Sequence, residues 1–153
     1  MTISVIYNKP KKRITKEIFI LKILKLLLDN NEIDRAGISN KLHFARTTIY
    51  DNIRPLIDIG LVKKELVNMR RGRPKVLYKL QSNGEEKEKI LLEGIKLELA
   101  KHKIPVINSN TLTLNEILEY IKGIQYNYDE DETRGIILRK IINEFDGIEG
   151  ETN

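Results

Sequence analysis

Two short stretches with the character of β-strands interrupt a chain whose other segments have the apolar spacing of helices. Residues 61–68 (LVKKELVN) and 75–80 (KVLYKL) are predicted strands, the second with alternate apolar side chains on one face. The segment between them contains Gly72 and Pro74, which are typical of a turn. The sequence therefore predicts a mainly α fold with a small β-hairpin.

Apolar residues elsewhere recur every three or four positions, which predicts a series of helices. The predicted helices cover Lys16–Asp29, Glu32–Leu42, Arg46–Gly60, Glu85–Lys103, Thr113–Ile124 and Thr133–Phe145.

The ends of several helices carry recognisable signals. Gly60 is placed to end the third helix in a left-handed conformation. Thr15 and Thr133 are predicted N-caps, and residues after 145 are predicted to fray. Ser82–Glu85 and Thr113–Glu116 match the capping box, in which a hydroxyl and a carboxylate satisfy each other's backbone N–H groups.

Charge is divided unequally along the 153 residues. Residues 1–83 hold 18 Lys and Arg against 7 Asp and Glu, a net of +11, whereas residues 84–153 hold 9 against 15, a net of −6. A strongly basic half is the electrostatic signature of a protein that binds nucleic acid. The division also predicts two domains, a nucleic-acid-binding domain at 1–83 and a helical domain at 84–153.

Residues for catalysis or for metal binding are scarce. The chain has no cysteine, and its two histidines, His43 and His102, lie in different predicted elements. A metal site needs more ligands close together, and the acidic run Asp129–Glu132 is better explained as a solvated turn. No phosphate-binding glycine loop is present. We expect neither a cofactor nor an enzyme.

The longest apolar run does not predict a membrane protein. Ile18–Leu28 contains two lysines and is shorter than the roughly 20 residues that span a bilayer. The first residues also lack the pattern of a signal peptide. We expect a protein of the cytoplasm.

The order of helix, helix, turn, helix, strand, basic turn, strand and helix resembles the winged helix-turn-helix DNA-binding regulators over residues 16–83. GISNKLHFARTTIYDNIRPLIDIGLV is similar to the two-helix unit of that family, and IGLVKKE to its entry into the first wing strand. GRPKVLYKL followed by NG resembles the exit strand in archaeal and bacterial regulators of the MarR, ArsR and PadR-like groups.

The third helix is the predicted recognition helix, because the second helix of such a unit enters the major groove with its N-terminus first. Ile49 and Ile53 must face the core, which leaves the other faces free for DNA. The predicted DNA contacts are Arg46, Thr47, Thr48, Tyr50, Asp51 and Arg54.

Two further basic segments are predicted to contact DNA. The first is the hairpin tip, or wing, with Arg70, Arg71, Gly72, Arg73 and Lys75. Its Arg-Gly-Arg-Pro core resembles an AT-hook, so it reads either the shape of a minor groove or only phosphate charge. The second is an N-terminal arm with Lys11, Lys12 and Arg13, for which a solvated tail is an equal alternative.

The helix that follows the wing often forms a two-fold dimer in the related families. Its apolar stripe is the predicted dimer interface and consists of Leu91, Leu92, Ile95 and Leu99. The alternative is that this stripe packs on the C-terminal helices of its own chain. Residues 84–145 also offer space for an effector, but no residue there marks a ligand.

The leading interpretation is a dimeric, sequence-specific regulator of transcription that binds double-stranded DNA. Two alternatives stay open at this point. One is a winged-helix module that binds an acidic protein partner. The other is an architectural or replication protein that binds DNA with little sequence preference.

Overall fold

The computed structural model describes residues 16–68, 70–81, 87–106, 109 and 111–152, with side chains up to residue 145. Six α-helices and three short strands make up these residues. In chain order they are α1 (Phe19–Asp29), β1 (Ile33–Asp34), α2 (Arg35–Leu42), α3 (Arg46–Asp58), β2 (Val62–Val67), β3 (Lys75–Leu80), α4 (Lys87–Lys101), α5 (Leu114–Ile124) and α6 (Glu132–Thr152), with a 3-10 turn at Gln125–Tyr128 between the last two. The predicted fold class is confirmed.

The second helix begins later than predicted because a short strand precedes it. Ile33 and Asp34 form β1, which pairs with β3. The local sequence did not predict β1. The Asp34 carboxylate then accepts the N–H of Gly37 at 2.8 Å and caps α2. α1 begins at Phe19 rather than Lys16. The predicted cap Thr15 lies outside the described residues.

The third helix ends at Asp58, and Gly60 has φ +84°, the left-handed conformation that was predicted for it. The N–H of Leu61 returns to the carbonyl of Leu56 at 3.0 Å, which satisfies an end carbonyl of α3. Val62 then opens β2 directly.

The C-terminal helices confirm one cap and correct another. Thr113 and Glu116 form the predicted capping box at the start of α5. Asp131, not Thr133, caps α6, since its carboxylate accepts the N–H of Arg134 at 2.8 Å. The prediction that this helix ends at Phe145 is wrong, because α6 continues to Thr152. The box at Ser82–Glu85 lies outside the described residues.

The sheet has the order β1-β3-β2 and is antiparallel throughout. Val62 lies opposite Leu80 and Val67 lies opposite Lys75, so β2 and β3 form a regular hairpin. Tyr78, in the middle strand, is fully buried. The hairpin is thus attached to the core at its base and free at its tip.

Helix α4 lies at the centre of the molecule rather than at its edge. Ile90 packs with the apolar residues of α1–α3 and of the hairpin. The other buried apolar residues of α4 pack with α5, α6 and the start of α1. Because α1 contributes to both clusters, the two halves of the chain share one continuous interior.

The predicted dimer stripe is part of this interior. Leu91, Leu92, Ile95 and Leu99 are 2%, 7%, 0% and 0% exposed within a single chain. Their packing partners lie on α1, α5 and α6 of the same chain. The stripe therefore packs on helices of its own chain, which is the alternative named above, and a single chain leaves it no exposed apolar surface.

Among the described residues, no helix combines the length and the apolar character needed to cross a membrane.

Candidate nucleic-acid interface

Helix α3, the predicted recognition helix, has one buried face and one outward face, as predicted. Ile49, Ile53 and Leu56 are fully buried. Thr48 is half-buried, and the other five predicted contacts, Arg46, Thr47, Tyr50, Asp51 and Arg54, are exposed. The apolar period of 3.6 residues accounts for this division, because positions 49, 53 and 56 fall on one side of a helix.

The start of α3 has no side-chain cap. Ala45 occupies the N-cap position, and its methyl group cannot accept a hydrogen bond. The first N–H groups of a helix carry partial positive charge and need an acceptor from elsewhere. Arg46 and Thr47 flank these groups, so this end of α3 suits an anion such as a phosphate.

Two arginines lie close to the ring of Tyr50. The guanidinium carbon of Arg35 lies 5.3 Å from the ring centroid, and that of Arg54 lies 5.8 Å away. Arg35 also donates a hydrogen bond of 2.9 Å to the hydroxyl of Tyr78 in β3. One arginine of α2 thereby connects α3 to β3.

Arg35 was not predicted as part of this site. Its Nε is buried and has no hydrogen-bond partner among the described residues. Neighbouring sequence gives no signal for its role, because its partners come from α3 and β3. A cavity of about 260 Å³ opens here on the outward side, where Arg35, Arg46, Thr47, Tyr50 and Asp51 meet.

Asn52 is a second residue that was missed. Its side chain is buried, donates to the carbonyl of Thr48 at 2.7 Å and accepts a hydrogen bond from the ammonium of Lys101. A signal existed, since position 52 lies beside Ile49 and Ile53 on the inward face of α3. Asn52 joins α3 to α4.

The wing presents its cations at the tip, and all five predicted wing residues are exposed. Gly72 has φ +85°, so it holds a conformation that other residues rarely adopt. Lys75 lies 3.5 Å from the carboxylate of Asp34, which leaves it partly neutralised. Arg70, Arg71 and Arg73 therefore carry most of the positive charge of the tip.

At the base of the wing two lysines share one carboxylate. Glu65 lies 3.2 Å from Lys63 and 3.4 Å from Lys79. The hydrogen bond from Lys63, with a further one from Lys79, holds the pKa of Glu65 below its ordinary value. The positive field of the hairpin is therefore stronger at its tip than at this paired base.

The structure bears differently on the predicted N-terminal arm and on the expected absence of a metal site. Lys11, Lys12 and Arg13 of the N-terminal arm lie outside the described residues. Within the described part of the chain, no three side chains of His, Cys, Asp or Glu gather in a way that could hold a metal ion.

Residues 17–63 match a family model described as winged helix-turn-helix DNA-binding. The match runs from α1 through α3 to the start of β2, and the hairpin follows it directly. Over these residues the chain is similar to winged helix-turn-helix DNA-binding domains. No curated protein matches the chain.

Several solved structures are similar to this chain at a distance. The circadian clock associated protein Pex from Anabaena is 22% identical, with 67% of this chain and 96% of that chain covered and a TM-score of 0.43. A point mutant of Lactococcus lactis ZitR is 16% identical, with 95% and 81% covered and a TM-score of 0.39. Wild-type ZitR in complex with DNA is 15% identical, with 96% and 82% covered and a TM-score of 0.36.

Proposed function

We propose that this protein is a transcription regulator that binds double-stranded DNA at specific sequences. The observation that carries the proposal is the outward face of α3, which presents polar and charged side chains within a winged helix-turn-helix domain. We also propose that it is related to the MarR, ArsR or PadR-like regulators. We further propose that it has no enzymatic activity.

Helix α3 is proposed to lie in the major groove, which is about 12 Å wide and admits one helix. Arg46 is placed to bind guanine edges or a phosphate, and Thr47 to bind a phosphate or touch a thymine methyl. Tyr50 offers a ring and a hydroxyl, and its ring lies near the guanidinium groups of Arg35 and Arg54. Asp51 would repel phosphate, so we assign it to a cytosine amino group or to the orientation of Arg54.

The wing is proposed to lie along the adjacent minor groove or backbone. Its tip carries three arginines without a neighbouring carboxylate at ion-pair distance among the described residues, while Lys63 and Lys79 at its base share Glu65. Such a distribution favours contact by the tip. The N-terminal arm is proposed to add phosphate contacts.

Dimerisation is also proposed, because a dimer with two-fold symmetry matches a palindromic DNA site. The two half-sites of such a site lie one helical turn, or a multiple of one turn, apart. The interface would lie outside the buried stripe of α4. Sedimentation of the intact chain with and without DNA tests this part. A monomer under both conditions would end the dimer proposal and leave DNA binding by one domain untouched.

Equilibrium binding to genomic duplex fragments across a range of salt tests the proposed function. We expect Arg46→Ala to weaken binding and, if Arg46 contacts a phosphate, to lower the salt slope by about 0.9 log units per log salt. Arg139→Ala is the matched control, since Arg139 is an exposed arginine on α6. No binding at low salt would overturn the proposal. Binding without sequence preference would favour an architectural protein instead.

A further inference from the structure

Arg35 lies where α2, α3 and the sheet meet. It is the first residue of α2, and its guanidinium donates to the hydroxyl of Tyr78 in β3 at 2.9 Å. Tyr78 is fully buried and paired on both sides in the sheet, so its hydroxyl is a fixed acceptor. The neighbouring carboxylate of Asp34 is directed to Gly37 and Lys75 instead of to the guanidinium.

The environment of Arg35 costs stability. The residue is half-buried, and its Nε has no hydrogen-bond partner among the described residues. One bond to a neutral hydroxyl compensates only part of the hydration that a guanidinium loses on burial. A locally unfavourable arrangement of this kind is typical of functional sites, where the side chain serves a neighbour rather than the fold.

Tyr50 is the neighbour that Arg35 serves. The guanidinium carbon of Arg35 lies over its ring, 5.3 Å from the centroid, and that of Arg54 lies 5.8 Å away. At an exposed site each such contact favours the contacting orientation of the ring by about two- to fivefold. Arg54 is exposed, whereas Arg35 is anchored to the sheet by Tyr78. Arg35 therefore has the larger part in orienting the ring.

We propose that Arg35 is a positioning residue that orients the Tyr50 ring toward the methyl group of one thymine in the major groove. This inference rests on the proposed function, because it assigns a base contact to α3. Thymine presents an apolar group, its C5 methyl, at the major-groove edge. The Tyr50 ring is 37% exposed and borders the cavity of about 260 Å³ on the outward side, so it is accessible to such a group.

The test uses the duplex that the intact protein enriches from a random pool, with each thymine replaced in turn by uracil. Uracil differs from thymine only by the missing methyl group. We expect one replacement to weaken binding of the wild type by about fourfold, which corresponds to one buried methyl group. Tyr50→Ala should lose this thymine preference. Thr47→Ser, which removes the other methyl group proposed to reach a thymine, should keep it at that position.

The positioning role is measured with Tyr78→Phe and Arg35→Lys. The first removes only the hydroxyl, and the second keeps the charge but not the fork that reaches two partners. Both should reduce the thymine preference to less than about twofold, because the ring loses its anchored cation. Tyr126→Phe and Arg139→Lys are the matched controls, at exposed positions in the C-terminal half, and should keep it. The preference is a ratio of two affinities of one variant, so a smaller folded fraction or a general loss of charge does not change it.

A thymine preference of about fourfold in both Tyr78→Phe and Arg35→Lys would overturn the positioning role. A consensus in which no thymine preference depends on Tyr50 would overturn the base contact while leaving the proposed function intact. Selection without any consensus would overturn the proposed function and this inference together.

Discussion

At the scale of single residues, Glu98 shows how a charge can be kept in an apolar interior. Its side chain is fully buried, and one carboxylate oxygen accepts the N–H of Leu21 in the first turn of α1 at 2.9 Å. The other lies 3.3 Å from the ring nitrogen Nε2 of His102. Glu98 is therefore a cap supplied by α4 to a helix 77 residues earlier in the chain.

We expect Glu98→Ala to destabilise the fold by about 2–4 kcal/mol, because it leaves the N–H of Leu21 buried without an acceptor. Glu98→Gln should cost less, since the amide oxygen can still accept. Urea unfolding measures both, with Glu93→Ala as control on a more exposed face of the same helix. Equal losses in Glu98→Ala and Glu93→Ala would contradict the capping role.

The arginines at the tip of the wing allow a second prediction at this scale. If Arg71 and Arg73 enter a narrow minor groove, their joint replacement by alanine should weaken binding most at sites flanked by A·T tracts, where that groove is narrowest. Binding to matched sites with A·T and G·C flanks measures this, with Arg139→Ala as control. An equal loss of affinity at both kinds of site would show that the two arginines contact only phosphates.

The role of a residue could be predicted where it depends only on the face of its own helix. It could not be predicted where it depends on a contact with another element. The outward side chains of α3 followed from the spacing of Ile49 and Ile53 alone. Arg35, Asn52 and Glu98 take their partners from other helices or from the sheet, and no local pattern encodes such distant contacts.

At the scale of elements, α1 and α4 pack closely because Gly94 lies between them. A methyl group at position 94 would overlap Cδ2 of Leu24 and lie 3.2 Å from Cδ2 of Leu21. Both leucines are fully buried, so neither can move away freely. Gly94 therefore allows the close distance between α1 and the central helix α4.

Gly94→Ala should destabilise the protein by about 1–2 kcal/mol, because overpacking in a full core outweighs the better helix propensity of alanine. Gly123→Ala in α5 is the matched control, since nothing lies within 4 Å of the added methyl. That variant should gain about 0.5–1 kcal/mol. Thermal unfolding compares the two, and a gain in both would show that α1 and α4 can separate without cost.

Ion pairs join α1 to α6. Glu17, just before α1, lies 2.8 Å from Lys22 and 3.2 Å from Lys140 of α6. The hydrogen bond from Lys22 is the main cause that lowers the pKa of Glu17, with Lys140 adding to it. Because the folded pKa is depressed, this contribution to stability is present above the ordinary value of 4.5 and disappears as pH falls through the folded value.

We therefore expect Glu17→Gln to be less stable than the wild type at neutral pH and to approach it as the solution becomes acidic. Urea unfolding at several pH values checks the convergence. A difference between the two proteins that does not change with pH would contradict the role of these ion pairs.

The elements themselves were largely predictable, and their errors have physical causes. β1 is two residues long and is defined by its pairing with β3. Two residues are too few to show the alternation of apolar and polar side chains that predicts a strand. The apolar stripe of α4 predicted one apolar face that packs on a second copy. In the structure, α4 has buried residues on several sides. A one-dimensional pattern does not distinguish a partner in the same chain from a second copy.

At the scale of the whole molecule, charge and packing divide the chain differently. The basic half and the acidic half meet inside a shared interior, with α1 and α4 contributing to both clusters. Helix α4 is also joined to α3 by the hydrogen bond from Lys101 to Asn52.

The most direct test of the account is selection of bound duplexes from a random pool by the intact protein. The account predicts one enriched consensus, palindromic if the protein is a dimer, which disappears with Arg46→Ala and Thr47→Ala and survives Arg139→Ala. Retention of duplexes without a consensus, or the same consensus after the two changes in α3, would contradict the claim that this helix reads DNA sequence.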